Sequence, residues 1–260
     1  MPSDFIDYHC HLLPALDDGA VDLRESLGMA RTLSKFGFGK VHCTPHLIRG
    51  GYENDPSRVV RAVQLMQQRL DDEGIPLRLV PGNEHYLDQY LPEMLAGALR
   101  AGGSRYLLVE VPFHSGPELL RPMVQTFASH GLAPLIAHPE RCSAFDPARG
   151  RGGLWGALAV VLGNESQPQI DEGSEIVELK RLGCRFQGNL GSFAGYYGYE
   201  VRERALLFLR HGLYSCVGSD AHRGEKLWEM LVAGHAAVES VLGEADAREL
   251  LRGTLLANGA

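Results

Sequence analysis

Short apolar segments recur along the chain, and most of them end at a histidine or an acidic residue. Five such segments are residues 40–45 before His46, 77–83 before Glu84, 106–109 before Glu110, 134–137 before His138 and 214–219 before Asp220. Apolar runs of this length, bounded by turn-forming residues, are typical of buried β-strands. With similar segments near residue 5 and at residues 184–189, the pattern predicts seven strands.

The segments between these strands carry apolar residues at helical spacing. Asp22 and Glu25 form a capping-box pattern at the start of one helix. Asp55 and Pro56 supply an N-cap and a first-turn proline for another. Further helices are predicted at residues 116–129 and 198–211. Glycines stand where three helices should end, at Gly37, Gly131 and Gly212.

Strands and helices that alternate about seven times predict an α/β protein with a parallel sheet. In such proteins the functional groups lie at the carboxyl ends of the strands. A closed barrel would gather those ends around one mouth, whereas an open sheet would spread them along an edge. We therefore expect a barrel, formed as a single domain by residues 1–260.

The first strand carries the most informative local motif, Asp7-Tyr8-His9-Cys10-His11. Side chains alternate between the two faces of a strand, so Asp7, His9 and His11 share one face. Two histidines at this spacing are a weak metal signal alone. The acids and histidines at later strand ends strengthen it, because a barrel would bring them to the same mouth.

Eight short motifs stand in order along the chain, at residues 7–14, 17–19, 44–46, 82–84, 109–110, 137–141, 187–192 and 219–222. Through them the chain resembles the polymerase and histidinol phosphatase (PHP) superfamily. Within that superfamily it is similar to bacterial capsule-regulating tyrosine phosphatases of the CpsB/CapC type. The resemblance implies a distorted TIM-like (β/α)7 barrel whose metal site lies at the carboxyl ends of the strands.

The resemblance also implies a centre of three divalent metal ions. The first would be held by His9, His11, Glu84 and Asp220. The second would share Glu84 and add Glu110 and His138, and the third would take Asp18, His46 and His222. Imidazole and carboxylate ligands without thiolates suit manganese, iron or zinc, and we expect manganese.

The chemistry implied is hydrolysis of a phosphotyrosine ester by metal-activated water, without a covalent enzyme intermediate. Arg141 matches the family's arginine and is predicted to hold the phosphate as a catalytic and substrate-binding residue. The chain departs from the family pattern after His222, where Arg223 is predicted as a catalytic and substrate-binding residue and Lys226 is the alternative. It also remains open that both are solvated residues at the start of a helix. Arg49 is a further candidate for substrate binding.

Residues beside these ligands are candidates for supporting roles. We predict that Asp7 orients a metal-bound imidazole. Gln187 and Asn189 either orient a ligand or cap a loop. The three tyrosines of a glycine-rich turn are predicted to pack against the protein: Tyr196, Tyr197 and Tyr199.

A second phosphatase motif overlaps one of the metal motifs. The segment from His42 and Cys43 to Arg49 matches His-Cys-x5-Arg, the signature of cysteine-dependent tyrosine phosphatases. In those enzymes the intervening residues form a tight loop whose amides bind phosphate. Here the segment has no glycine, contains Pro45, and includes the candidate ligand His46. We therefore predict that Cys43 packs on the outer side of its strand.

The composition limits the classes of partner. A net charge of −7 over 260 residues, without a basic stripe, disfavours binding to nucleic acid. No apolar stretch is long enough to span a bilayer, so we expect no membrane insertion. Five scattered cysteines form neither metal-ligand pairs nor a disulfide framework, which favours the cytoplasm.

A glycine-rich segment at about residues 149–172 departs from the family pattern and is predicted to be an insertion. An exposed apolar centre in this segment would favour a homo-oligomer, whereas a buried centre would cover the barrel.

Three interpretations of function remain open. The preferred one is a protein-tyrosine phosphatase whose partner is a tyrosine-phosphorylated protein, namely a bacterial tyrosine kinase that controls polysaccharide synthesis. The second is a small-molecule phosphatase, such as a histidinol-phosphate phosphatase, on the same metals. The third is a non-catalytic barrel that binds a partner protein. Retention of all nine candidate ligands argues against the third.

Overall fold

The computed structural model describes residues 4–101, 104–114, 116–146 and 170–257. Within these ranges the strands are β1 (Phe5–Cys10), β2 (Phe38–Cys43), β3 (His46–Leu47), β4 (Arg78–Pro81), β5 (Glu84–Tyr86), β6 (Tyr106–Glu110), β7 (Ala133–Ala137), β8 (Arg185–Asn189) and β9 (Cys216–Gly218). The helices are α1 (Leu23–Phe36), α2 (Pro56–Asp72), α3 (Leu91–Met94), α4 (Leu120–Ser129), α5 (Glu175–Arg181), α6 (Leu190–Phe193), α7 (Tyr199–Arg210), α8 (Leu227–Leu242), α9 (Glu244–Arg252) and α10 (Thr254–Ala257).

Neighbouring strands pair in parallel, which confirms the predicted α/β class. The strands form two sheets, in the orders β1-β2-β4 and β3-β5-β6-β7-β8-β9. We expected a barrel, but the pairing of the described strands does not close into one, and two of the predicted strands are interrupted. Thr44 and Pro45 separate β2 from β3, and Pro45 has no N–H to donate to a ladder. Gly82 and Asn83 separate β4 from β5.

Hydrogen bonds also join the end of β1 to the residues that follow β9. Cys10 forms an isolated parallel bridge with Ala221, and the His11 N–H donates to the Ala221 carbonyl over 3.0 Å. The Asp220 N–H donates to the His9 carbonyl over 2.7 Å. The carboxyl end of β1 therefore lies beside the carboxyl end of β9.

The helix starts follow the predicted capping chemistry. Asp22 caps α1 by accepting a hydrogen bond from the Glu25 N–H over 2.8 Å, and Glu25 in turn accepts one from the Val21 N–H. Asp55 caps α2 by accepting hydrogen bonds from the N–H groups of the second and third helical residues. These contacts satisfy amide groups that the helices leave unpaired.

Alternate strand residues pack into two different apolar clusters. Leu107 and Val109 of β6 belong to the larger cluster, which includes the buried faces of the helices. Tyr106 and Leu108, on the opposite face, belong to a smaller cluster that joins residues of β1, β6, β7 and β9. Both faces of β6 are therefore buried, as expected for a parallel strand covered on both sides.

The structure describes little of the predicted insertion at residues 149–172. Residues 147–169 are not described, so only the last three residues of that segment are.

Among the helices that are described, none combines the length and apolar character needed to cross a membrane.

Candidate metal centre

The nine predicted metal ligands lie together at the carboxyl ends of the strands. Four groups of residues offer ligand atoms within 4.8 Å of one another. They are His11-Asp18-His46-His222, His9-His11-Glu84, His9-His138-Asp220 and His46-Glu84-Glu110. Together these groups contain all nine predicted ligands, so the fold brings the whole set to one place.

Glu84 is the central carboxylate of this cluster, and its side chain is 1% exposed. Its Oε2 lies 3.2 Å from Nε2 of His9 and 3.0 Å from Nδ1 of His46. Its Oε1 lies 3.1 Å from Nε2 of His138. The parallel pairing of β3 and β5 places His46 opposite Glu84, which explains why their side chains meet.

Asp220 is the second buried carboxylate, and its two oxygens have different neighbours. Oδ1 lies 3.3 Å from Nε2 of His9 and 3.4 Å from Nε2 of His11. Oδ2 accepts hydrogen bonds from Nδ2 of Asn189 over 2.7 Å and from the Arg141 guanidinium over 2.9 Å. Asp220 therefore connects the histidine cluster to Arg141.

Asp18 lies at the open side of the cluster, where its side chain is 51% exposed. Its Oδ1 is 3.5 Å from Nε2 of His46 and 3.4 Å from Nε2 of His222. The hydrogen bond with His222 lowers the pKa of Asp18 to about 2. Asp18 is therefore a carboxylate at neutral pH, as a metal ligand must be.

Two side chains fix the orientation of the histidines on β1, and they do so through Nδ1. Oε1 of Gln187 accepts a hydrogen bond from Nδ1 of His9 over 2.9 Å. Oδ2 of Asp17 accepts one from Nδ1 of His11 over 2.6 Å, and another from the His46 N–H over 3.0 Å. Such partners set the imidazole tautomer so that Nε2 carries the lone pair.

Asp17 was not predicted as a functional residue, although it stands beside Asp18 in a motif that the sequence analysis identified. Gln187 was predicted either to orient a ligand or to cap a loop, and it orients His9. Asn189 does both, since it donates to Asp220 and also accepts from the Gly191 N–H at the start of α6. The prediction for Asp7 was wrong, because within the described part of the chain its carboxylate accepts hydrogen bonds from Ser219 and a backbone N–H and not from an imidazole.

The hydrogen bonds of Asp7 instead join β1 to the end of β9. Its carboxylate accepts from the Ser219 N–H over 2.9 Å, from the Ser219 hydroxyl over 2.5 Å and from the His9 N–H over 3.1 Å. Burial raises the pKa of Asp7 to about 6, and these hydrogen bonds limit the rise. Asp7 therefore supports the strand that carries His9 and His11.

The donor set fits divalent cations. The Nε2 atoms of His9 and His11 are 3.1 Å apart, and both face carboxylate oxygens at 3.2–3.4 Å. Lone pairs at such distances repel one another unless a proton or a cation lies between them. Among the described residues, the buried Nδ1 of His46 has no partner in hydrogen-bond geometry, although Oε2 of Glu84 lies 3.0 Å away. The ligand chemistry is that of manganese, iron or zinc sites.

The electrostatic potential of the cluster favours positive charge. Burial alone would lower the pKa of His9, but the charges of Glu84 and Asp220 outweigh it and raise this pKa to about 9. Burial and the neighbouring Glu84 raise the pKa of Glu110. A site whose carboxylates make imidazoles more basic also attracts metal cations.

Two of the predicted ligands have a left-handed backbone, with φ of 30° at His138 and 49° at Asp220. This conformation is unfavourable for residues other than glycine, although histidine and aspartate tolerate it better than most. Such strain is typical of functional sites, where the surrounding structure holds the residue in place. His138 directly follows β7, and Asp220 lies two residues after the end of β9, so each stands in the turn that directs its side chain toward the cluster.

The three predicted arginines have different surroundings. Arg141 donates to Asp220 and lies beside the cluster. Arg223 donates to the Gly19 carbonyl, which places it near Asp18. Arg49 forms an ion pair of 2.7 Å with Glu93 and lies over the ring of Tyr90, so its described contacts are not with the metal ligands.

Cys43 has the environment of a core residue. Its side chain is fully buried in the cluster that lies between strands and helices. Burial raises the pKa of the thiol far above its ordinary value, so it is not a thiolate at neutral pH. These properties agree with the prediction that Cys43 packs on the outer side of β2.

Comparison with known proteins identifies the family. A family model described as capsular polysaccharide synthesis, CpsB/CapC, matches residues 5–148. The tyrosine-protein phosphatase YwqE of Bacillus subtilis (strain 168) is 32% identical over 219 residues, which cover 84% of this chain and 77% of that protein. The tyrosine-protein phosphatase CpsB of Streptococcus pneumoniae is 23% identical over 252 residues, covering 94% of each chain.

A solved structure from work on YwqE of Bacillus subtilis and CpsB of Streptococcus pneumoniae, described as metal-dependent tyrosine phosphatases, has the same fold. It matches with a TM-score of 0.79 at 29% identity, and the match covers 98% of this chain and 94% of that one. The family match spans more than half of the 260 residues, and a relative exceeds 30% identity over most of the chain. The chain therefore belongs to the CpsB/CapC family of capsular polysaccharide synthesis.

Proposed function

We propose that this chain is a metal-dependent tyrosine-protein phosphatase that hydrolyses phosphotyrosine in a partner protein. The observation that carries the proposal is the convergence of nine imidazole and carboxylate side chains beside the guanidinium of Arg141. A polynuclear metal site next to an arginine is suited to phosphate esters, because both bind phosphoryl oxygens.

The proposal assigns the ligands to three divalent ions, with manganese as the expected metal. His9, His11, Glu84 and Asp220 would hold the first ion, and Glu84, Glu110 and His138 the second. Asp18, His46 and His222 would hold the third. Bound divalent ions supply Lewis acidity, which activates water for attack on phosphorus and neutralises charge on the phosphoryl oxygens.

The protein's own groups bind and orient the ester. Arg141 would donate to the phosphate through the guanidinium N–H groups that Asp220 does not use. Asp220 and Asn189 hold Arg141 and the ligand cluster in fixed relation. The leaving phenolate has a conjugate acid with a pKa of roughly 10, so it departs more readily than an alkoxide.

Arg223 is the proposed second phosphate-binding residue, supported by its anchor to the Gly19 carbonyl beside Asp18. A role for Arg49 would require it to leave the exposed ion pair with Glu93. Exposed pairs of this kind contribute about 0–1 kcal/mol, so substrate could displace it.

We further infer that the two sheets are parts of one distorted (β/α)7 barrel. The interrupted strands correspond to single predicted segments, and the Cys10–Ala221 bridge joins β1 to the end of β9. The smaller apolar cluster also joins strands from both sheets, as the interior of a barrel would. Such a barrel would gather the strand ends around one mouth.

The proposed biological substrate is a bacterial tyrosine kinase that controls polysaccharide synthesis, in keeping with the family. All five cysteines are buried, and no disulfide joins any two of them in the described part of the chain, which suits a reducing cytoplasm.

The proposal is tested by measuring phosphate release from equal concentrations of a phosphotyrosine peptide, the matched phosphoserine peptide and histidinol phosphate, with manganese present. We expect the phosphotyrosine peptide to have the highest kcat/KM. Faster hydrolysis of histidinol phosphate would instead establish the small-molecule phosphatase, and absence of turnover on all three would support a non-catalytic barrel.

A further inference from the structure

Two aromatic rings contact the guanidinium of Arg141. Its Cζ lies 4.6 Å from the ring centroid of Phe113 and 4.2 Å from that of Tyr197. Both distances are within the range of a cation–π contact. Among the described residues, the hydrogen bond of the Arg141 side chain goes to Asp220 alone. The rings therefore supply much of what restrains this side chain.

Hydrogen bonds join the segment that carries Phe113 to the segment that carries Arg141. The Ser143 N–H donates to the Phe113 carbonyl over 2.9 Å, and the Cys142 thiol lies 3.4 Å from the Pro112 carbonyl. The Phe113 ring also lies 5.8 Å from the ring of His138. Residues that precede and follow Arg141 in the sequence therefore contact the segment of Phe113 and hold it in place.

Tyr197 is held by a different part of the fold. Its ring packs so closely on α6 that a Cβ added at Gly191 would lie 3.0 Å from its Cε2. Its hydroxyl interacts with the Asn189 side chain, which also donates to Asp220. Tyr197 is nevertheless 37% exposed, so it reaches the surface beside the cluster. Its neighbours Tyr196 and Tyr199 are 48% and 75% exposed, so the prediction that these tyrosines pack was wrong for both of them.

We propose that Phe113 and Tyr197 are positioning residues for Arg141, holding its guanidinium where it receives the phosphate of the substrate. This inference rests on the proposed function, because it takes Arg141 to be a phosphate-binding group. An arginine side chain loses much rotational freedom when it is fixed in one place. Rings that restrain it before the ligand arrives reduce the loss on binding, and affinity for phosphate increases.

Binding of inorganic phosphate to the manganese-loaded protein tests this inference without requiring turnover. Calorimetry should show that Phe113→Leu and Tyr197→Leu each raise the Kd for phosphate by roughly 3- to 30-fold, the range expected for a lost cation–π contact. Tyr197→Phe keeps the ring and should restore a Kd near that of the wild type. Tyr199→Leu is the matched control at an exposed tyrosine and should leave the Kd unchanged.

A double-mutant cycle then establishes whether the rings act through Arg141. In an Arg141→Leu background, Tyr197→Leu should cause no further weakening. Thermal unfolding and bound manganese are measured for every variant. If Phe113→Leu does not fold, the Tyr197 series decides alone.

An unchanged Kd in Tyr197→Leu would overturn the inference. Equal weakening by Tyr197→Phe and Tyr197→Leu would also overturn it, because the hydroxyl rather than the ring would then matter. Undiminished weakening in the Arg141→Leu background would show a role independent of Arg141. The wild type and the variants could bind phosphate as expected while the wild type does not hydrolyse phosphotyrosine. The proposed function would then fail, whereas the role of the two rings in positioning Arg141 would stand.

Discussion

Replacing Asp17 by asparagine isolates the contribution of one carboxylate charge to metal binding. The side chain of Asp17 is 1% exposed, and its Oδ2 accepts hydrogen bonds from Nδ1 of His11 and from the His46 N–H. Its Oδ1 accepts from the Gly19 N–H over 2.9 Å. Burial alone would raise the pKa of Asp17, but His11 outweighs it and lowers this pKa, so the group is charged. Asparagine has nearly the same shape without the charge.

The structure indicates how large the effect should be. If the amide oxygen of the new side chain takes the place of Oδ2, the bonds to His11 and His46 remain, but the amide NH2 then faces the Gly19 N–H. If the amide is turned, the NH2 faces the N–H groups of His11 and His46 instead. In either orientation at least one hydrogen bond to a charged oxygen is lost, which costs about 1.5–3 kcal/mol. Loss of a partner to a metal-bound histidine typically weakens metal binding by roughly 10- to 100-fold, in agreement with that range.

The assay is manganese titration of chelator-stripped protein against a fluorescent competing chelator. Asp17→Asn should shift the half-saturating manganese concentration upward by roughly 10- to 100-fold. Asp55→Asn, the same change at a carboxylate that caps α2, should leave it unaltered. A curve for Asp17→Asn that coincides with the wild type would show that Asp17 does not set the orientation of His11.

Two further predictions concern stability. A Cβ at Gly234 of α8 would lie 2.3 Å from the Leu190 carbonyl oxygen, so Gly234→Ala should lower the free energy of unfolding by about 1–3 kcal/mol in urea. Gly28→Ala in α1, where no heavy atom lies within 4 Å of the new Cβ, should instead raise it by about 0.5–1 kcal/mol; a loss at Gly28 would contradict the packing account. Burial lowers the pKa of His42 from 6.5 to about 4, so the unfolded chain takes up this proton at a higher pH than the folded protein does. The stabilisation from neutral His42 is therefore complete above pH 6.5 and is lost between pH 6.5 and about 4. Between pH 7 and pH 4.5 the metal-free wild type should lose about 2 kcal/mol more than His42→Phe, which keeps a ring against Tyr8; equal losses would contradict the assignment.

The candidate ligands at strand ends could be predicted from the sequence because their positions follow from local geometry. The period of a strand places His9 and His11 on one face, and a parallel sheet gathers Glu84, Glu110 and His138 at one edge. The family resemblance added Asp18 and His222, which stand in loops and have no such geometric signature. The structure brings all of them within reach of one another.

The supporting contacts could not be predicted in the same way, because each joins segments that are distant in the sequence. The pairing of His11 with Asp17 depends on the path of the loop after β1, although the adjacent Asp17-Asp18 pair was a usable signal. The contacts of Phe113 and Tyr197 with Arg141 depend on how three separate loops pack. Asp7 shows the converse, since it shares a strand face with the histidines, yet its oxygens bind Ser219.

The interruption of two strands also has a physical cause that the apolar pattern conceals. Residues 77–84 read as one continuous run, but Gly82 approaches Thr44 so closely that an added Cβ would lie 3.0 Å from its Cγ2. The strand pairing is interrupted at this close contact. His46 and Glu84 then begin new strands, and both are candidate metal ligands.

The nine clustered imidazoles and carboxylates, and not Cys43, are proposed to carry the chemistry. Turnover of a phosphotyrosine peptide should therefore be measured before and after chelation, with manganese added back, for the wild type and Cys43→Ser. We expect chelation to abolish turnover, manganese to restore it and Cys43→Ser to behave as the wild type. Turnover that survives chelation but is lost in Cys43→Ser would show that the thiol is the nucleophile instead.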